Sequence, residues 1–181
     1  MRNLFKYLTQ WGVGIIAFVT LFSLNTTAKE TVKLTDPEIA SVAVTANQID
    51  VKYGEIALKK SKNAEVRKFA ETMVNDHNSI IKQATDLAKK LGVTPKDNPV
   101  SQSLVKGEKE IIAKFSKLSG NAFDKAYIAN EVAYHEAVIK TVKDVLIPQT
   151  QNSQLKDLLV KASPLLEHHL EMAKEAKAKV K

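Results

Sequence analysis

Apolar residues recur three and four positions apart along four long stretches of the chain, and this spacing is the strongest constraint on its fold. The stretches cover residues 39–56, 66–91, 123–146 and 155–176. Residues three and four apart lie on one face of an α-helix, so each stretch predicts an amphipathic helix with a buried stripe. Only 6 Gly and 5 Pro occur in 181 residues, which leaves few interruptions. The sequence therefore predicts an all-α protein.

Capping residues, glycines and prolines indicate where these helices begin and end. Thr35 and Asn63 are suitable N-caps, and Gly92 is a suitable helix stop. Pro148 is expected to close the fourth helix, and Pro164 is expected to bend the fifth. The predicted helices cover residues 36–60, 64–90, 101–118, 122–146 and 153–178.

The order and length of the helices predict the architecture. Helices one and two form one long hairpin, and helices four and five form another. A crossover of roughly thirty residues, containing the short third helix, joins them, as a ferritin-like four-helix bundle requires. A plain up-down bundle in which helix three is an equal member is the alternative, which its shorter length disfavours.

The N-terminal residues 1–28 have the composition of a secretory signal peptide. Arg2 and Lys6 supply positive charge, residues 11–24 form an uncharged apolar run, and small residues lead to a cleavage site near Ala28. We expect a periplasmic or secreted protein whose single domain covers residues 29–181, with no stable membrane span after cleavage. A retained transmembrane anchor is the alternative.

Composition excludes several kinds of function. The chain has no Cys, which rules out disulfides, iron–sulfur clusters and thiolate zinc sites. The 27 basic residues are scattered among 20 acidic ones along the helices, so nucleic-acid binding is not expected. No catalytic triad or Gly-rich phosphate loop is present, so an enzyme activity would have to depend on a metal ion.

Three of the four histidines interrupt the apolar stripes of three different helices. His77, His135 and His169 lie on helices two, four and five, each near the middle of its helix. Side chains that converge from facing helices form the metal sites of helical bundles, and imidazole is the commonest metal ligand. The sequence therefore predicts a metal site of these three histidines, whereas His168 is off the stripe and is expected to face solvent.

Nearby acids are candidates for completing the ligand set. Glu55 lies at the edge of the helix-one stripe and is the first candidate, while Glu131 and Asp76 are further candidates. The Glu-x-x-His pairs of di-iron bundles are absent, since Val74 and Val132 occupy the corresponding positions. A His-rich set with one or two acids favours Zn, Cu, Ni or mononuclear Fe.

The chain resembles a bacterial family known as "domain of unknown function 4142". The resemblance covers nearly all of residues 37–176 and implies an exported, ferritin-like helical protein with no established reaction. The motifs that carry it are Gly54-Glu55, Phe69-Ala70-x-x-Met73-Val74-x-Asp76-His77, Ser119-Gly120-x-Ala122-Phe123-Asp124-x-x-Tyr127, His135 and Pro164-x-x-x-x-His169-Leu170.

Three functional hypotheses follow from these observations. The first is an exported bundle with a His-rich metal site in its core, which serves metal binding, storage or stress protection. The second is a non-enzymatic structural bundle whose buried histidines are metal-free and pair with Glu55, Asp76 or Tyr53. The third is a ferritin-like iron or peroxide oxidase, against which the absent Glu-x-x-His pairs count.

Overall fold

The computed structural model describes residues 32–180, and the regular structure in that range is entirely helical. The helices are α1 (Asp36–Lys60), α2 (Ala64–Leu91), α3 (Pro99–Ser116), α4 (Gly120–Thr141) and α5 (Ser153–Lys179). A π-helical segment, Val142–Leu146, and a short helical segment, Ile147–Gln149, continue α4 toward α5. The all-α prediction is confirmed. The predicted signal peptide, residues 1–28, lies outside the described residues.

The helices pack as two hairpins with a crossover helix between them. Helix α1 packs along α2, and α4 packs along α5. The hairpins meet where α2 contacts α5 and α1 contacts α4. Helix α3 packs mainly against α1. From Lys33 onward these helices form one compact unit. The predicted four-helix bundle with a short extra helix is confirmed, and the up-down alternative is not.

Most helix ends follow from local capping. The side-chain oxygen of Asn63 accepts hydrogen bonds from the backbone N–H of Glu65 at 2.9 Å and of Val66 at 3.3 Å. Gly92, with φ of 63°, ends α2 in the left-handed conformation that glycine adopts without strain. Helix α3 begins at Pro99, two residues earlier than predicted, because Asn98 caps it.

The end of α4 differs from the prediction that Pro148 closes the helix after residue 146. The chain stays helical to Gln149, and the N–H of Ile147 donates to the carbonyl of Val142, five residues back. In a regular α-helix the proline ring would collide with the carbonyl four residues before it. The wider π turn just before Pro148 accommodates that ring and lets the helix continue.

The buried apolar side chains form two clusters. One, which we call the aromatic half, contains the buried Phe and Tyr side chains of the described chain: Tyr53, Phe69, Phe115, Phe123 and Tyr127. The other, which we call the aliphatic half, consists of the buried residues Leu34, Ile39, Val42, Val142, Leu146, Leu155, Leu159 and Leu166. The same helices contribute to both clusters at different points along their length, so the two clusters occupy opposite ends of one bundle.

Among residues 32–180, no helix combines the length and the hydropathy that crossing a membrane demands.

Candidate metal centre

A layer of buried polar side chains separates the two apolar halves. It consists of Asp50, His77, Glu131, His135 and His169, each at most 2% exposed, and we call it the polar layer. All four long helices of the bundle contribute to it. Along α5, for example, Leu166 of the aliphatic half comes before His169, and Ala173 of the aromatic half comes after it.

The three histidine rings of the polar layer contact one another. Ring centroids lie 5.7 Å apart for His77 and His135, 5.0 Å for His77 and His169, and 5.6 Å for His135 and His169. One ring nitrogen of each histidine lies within 4.8 Å of the corresponding nitrogens of the other two. The imidazoles from α2, α4 and α5 therefore converge at one place, as the sequence predicts. His168 is exposed.

An amide on α1 fixes the orientation of His77. Nδ1 of His77 lies 2.7 Å from Oδ1 of Asn47. The amide nitrogen of Asn47 donates to the carbonyl of Ala43 at 2.7 Å, which sets the direction in which the amide points. Because Oδ1 can only accept, Nδ1 of His77 carries the hydrogen. In the neutral ring, Nε2 of His77 therefore has a lone pair.

Outer partners fix the other two rings in the same way. Nδ1 of His135 donates to the backbone carbonyl of Glu131 at 2.9 Å, one turn earlier on α4. Nε2 of His169 donates to Oδ2 of Asp76 at 2.9 Å, and the Asp76 side chain is 37% exposed. Each histidine thus uses one ring nitrogen for a hydrogen bond to the protein, and its other ring nitrogen is available to a different partner.

The second nitrogens of the three rings are buried. Within the described chain, Nε2 of His77, Nε2 of His135 and Nδ1 of His169 have no hydrogen-bond partner, and we call them the inner nitrogens. Burial lowers the pKa of His135. Burial also lowers the pKa of His169 to about 4, although its hydrogen bond to Asp76 acts in the opposite direction. Both rings are therefore neutral at pH 7 and present a lone pair to a cation.

Two carboxyl groups complete the polar layer. Oδ2 of Asp50 lies 3.2 Å from Nε2 of His77 and 3.4 Å from Nε2 of His135. Asp50, Glu131 and His135 also form a second group whose ligand atoms lie within 4.8 Å of one another. The structure thus places two acids beside the three histidines, on the side formed by α1 and α4.

The two acids differ in their protonation. Burial raises the pKa of Glu131 well above its ordinary value, and the adjacent charge of Asp50 raises it further. Burial alone would raise the pKa of Asp50 too, but the neighbouring His77 and His135 bring it below its usual range. In the metal-free protein, Glu131 is therefore the protonated partner and Asp50 the carboxylate.

Glu55, the first acid predicted as a ligand, is exposed on α1 and belongs to neither group of converging ligand atoms. It follows Asp50 by five residues, which rotates it by about 140° around the helix axis. Asp76 contacts a histidine from outside and does not belong to either group of converging ligand atoms. Of the predicted acids, Glu131 alone lies in the polar layer.

Asp50 is the residue that the sequence analysis missed. It lies four residues after Ala46 and three before Tyr53, and both of these belong to the helix-one stripe. A charged residue at stripe spacing on a predicted core face was the signal that could have identified it. The sequence favours Glu55 instead because it lies between Val51 and Leu58 at the edge of the apolar arc.

Comparison with solved structures shows that a similar fold is known. A structure described as "CopM in the Cu(II)-bound form" has a TM-score of 0.61 and 16% sequence identity. The match covers 81% of this chain and 98% of that chain. At this identity the likeness shows the fold, which is the helical bundle described above.

Comparison at the level of sequence gives a family but no curated relative. No curated protein matches the chain. Residues 22–176 match the family described as "Domain of unknown function (DUF4142)", which is the family that the sequence motifs resemble. The match extends over most of the 181 residues. The chain therefore belongs to the DUF4142 family.

Proposed function

We propose that the protein is an exported metal-binding bundle that holds one transition-metal ion in its polar layer, with the three inner nitrogens as ligands. The observation that carries this proposal is the convergence of three buried imidazoles, each with one ring nitrogen for which the described chain supplies no hydrogen bond. Leaving a buried polar atom unpaired costs about 1–3 kcal/mol. One bound ion would satisfy all three nitrogens at once.

The partners outside the rings support a metal site rather than a structural histidine cluster. Metal-binding histidines typically donate their second ring N–H to a carbonyl or carboxylate, which fixes the ring and raises its basicity. His135 and His169 do so to a backbone carbonyl and to Asp76, and His77 does so to an amide oxygen. In a metal-free bundle, this arrangement would leave the second nitrogen of each ring without a hydrogen bond and would bring no compensating contact.

The ligand chemistry and the similar fold favour copper as the first metal to test. Imidazole suits Cu, Zn, Ni and Fe, and this donor set alone does not choose among them. The similar solved structure is described as Cu(II)-bound. Residues of the polar layer are at most 2% exposed, so a substrate would have no direct access to the ion. We therefore propose metal binding or storage as the role, without turnover.

Metal analysis of protein purified without a His tag tests this proposal. After loading with Cu(II) or Zn(II) and removal of excess metal, we expect one ion per chain and a higher melting temperature, because the ion binds only the folded state. His169→Gln should lose both effects. His168→Gln is the matched control, since this neighbouring histidine is exposed, and it should retain both effects.

The proposal fails if the loaded protein carries no stoichiometric metal and its melting temperature is unchanged in chelator. Export is tested separately, by sequencing the N-terminus of protein from the periplasm or the medium. The expected first residue is Lys29, and a chain that retains Met1 in the membrane fraction would contradict export with cleavage.

A further inference from the structure

We infer that Asp50 is a fourth, anionic ligand of this centre and that its charge makes the site select divalent over monovalent ions, and thus Cu(II) over Cu(I). The inference rests on the proposed metal site at the three histidines. It concerns a residue that neither the sequence motifs nor the comparisons single out.

The distances around Asp50 match the edges of a tetrahedral metal site. Zinc–nitrogen and zinc–oxygen bonds of about 2.0–2.1 Å place neighbouring tetrahedral ligands roughly 3.3–3.4 Å apart. Oδ2 of Asp50 lies 3.2 Å from Nε2 of His77 and 3.4 Å from Nε2 of His135. The two edges that meet at Oδ2 of Asp50 thus have the length expected between ligands of one ion, and His169 is the third histidine of the converging group.

The same contact is unfavourable without a positive charge. Asn47 takes the hydrogen of the His77 ring on Nδ1, so Nε2 of the neutral ring and Oδ2 of Asp50 are both acceptors. His135 faces Asp50 in the same way, because its Nδ1 hydrogen is bound to the carbonyl of Glu131. The contacts of Oδ2 with these two nitrogens are favourable only with a positive charge between the atoms, either a proton on a ring or a metal ion, and a metal ion can contact both nitrogens and the carboxylate at once.

The charge of Asp50 explains why the ion should be divalent. An imidazole that binds a metal ion through its lone pair is neutral, so three such ligands do not by themselves discriminate by ionic charge. The attraction between a carboxylate and a cation is proportional to the charge of the cation, and it is weakly screened in a buried layer. Asp50 is fully buried, so its contribution to binding a dication is about twice its contribution to a monocation.

Asp50→Asn tests this inference, because it removes the charge and preserves the size of the side chain. The Kd values for Cu(II) and, under anaerobic reducing conditions, for Cu(I) are measured by competition with chelators. We expect the Cu(II) affinity to fall by about 100-fold and the Cu(I) affinity by about 10-fold, because the monocation loses about half as much attraction to the carboxylate. The resulting tenfold selective loss of Cu(II) raises the copper reduction potential by about 59 mV.

Asp124→Asn is the matched control. Asp124 is also a buried aspartate, but it lies on α4, seven residues before Glu131. This variant should leave both affinities unchanged. Circular dichroism checks that each variant is folded, and Asp50→Ser replaces the Asn variant if the latter does not fold.

Three results overturn the inference: an unchanged Cu(II) affinity in Asp50→Asn, an equal loss for both ions, or the same selective loss in Asp124→Asn. These results differ from failure of the proposed function. If the wild-type protein binds neither ion, the metal site itself is refuted. If the wild-type protein binds copper and Asp50→Asn keeps the same preference for Cu(II), only the role of Asp50 is refuted.

Discussion

The aromatic half of the core and the polar layer beside it are equally buried but are built in opposite ways. In the aromatic half, rings meet edge to face, with centroids 5.5 Å apart for Phe115 and Phe123 and 5.7 Å for Tyr53 and Phe115. This is the arrangement that aromatic pairs prefer. In the polar layer, a buried carboxylate oxygen, Oδ2 of Asp50, lies 3.2 and 3.4 Å from two buried ring nitrogens.

The difference indicates what each region contributes. The aromatic half holds the crossover helix on the bundle and stabilises the fold by burial of apolar area. The polar layer costs stability in the metal-free protein, because it buries a carboxylate and unpaired ring nitrogens. Residues that break the packing rules of their surroundings are expected at functional sites. Substitutions in the two regions should therefore change stability in opposite directions.

The largest loss of stability should come from Phe115→Ala in the aromatic half. Phe115 is 1% exposed, and its ring contacts the rings of Tyr53, Phe123 and Tyr127. Removing a buried Phe ring costs about 3–5 kcal/mol, since the loss of burial adds to the cavity that remains. Urea denaturation of the metal-free protein measures this change. A cost below about 1 kcal/mol would show that α3 does not anchor in the core.

In the polar layer, Glu131→Gln should raise the free energy of unfolding of the metal-free protein. Glu131 is fully buried, and burial raises its pKa well above the ordinary value. The neutral glutamine avoids the cost of the buried acid and still offers hydrogen-bonding groups to Asp50. We expect a gain of about 1–4 kcal/mol at pH 8, the range found when buried ionic groups are replaced.

The pH dependence of that gain identifies its cause. Below the unfolded pKa of 4.5, Glu131 is protonated in both states, and the variant should have its smallest advantage. As the pH rises above 4.5, the unfolded chain releases this proton while the folded protein retains it, so the wild-type protein loses stability. Denaturation at pH 4.5 and pH 8 measures the difference. An advantage that shrinks with increasing pH would contradict this account.

The fold could be predicted from the sequence because apolar burial dictates it. The three/four spacing placed α1, α2, α4 and α5, and the Asn63 cap and Gly92 stop placed the two ends of α2, since both depend on local geometry. The continuation of α4 through Pro148 could not be predicted in this way. It depends on a π turn just before the proline, which no spacing rule reveals.

The site could be predicted in part. His77, His135 and His169 were identifiable because a polar residue on an apolar stripe must meet another polar group in the core. The choice between Asp50 and Glu55 depends on a rotation of about 140° around α1, and at the edge of a stripe such a rotation separates burial from exposure. The spacing of apolar residues identifies the stripe. Which residues at its border are buried depends on how α1 packs on α2 and α4.

The smallest effect should come from Glu108→Gln, the same chemical change as Glu131→Gln at a position outside the polar layer. Glu108 lies on α3 and pairs with Lys52 of α1 at 2.6 Å, and the lysine side chain is 56% exposed. Because water reaches the pair, it contributes no more than about 1 kcal/mol. We therefore expect a slight loss of stability, opposite in sign to the gain at Glu131. This loss should disappear in about 1 M salt, because the Debye length is then only ~3 Å. Denaturation with and without salt measures this change in the free energy of unfolding. A salt-independent gain in Glu108→Gln would show that replacing Glu by Gln stabilises the protein wherever it is made, and not because of burial in the polar layer.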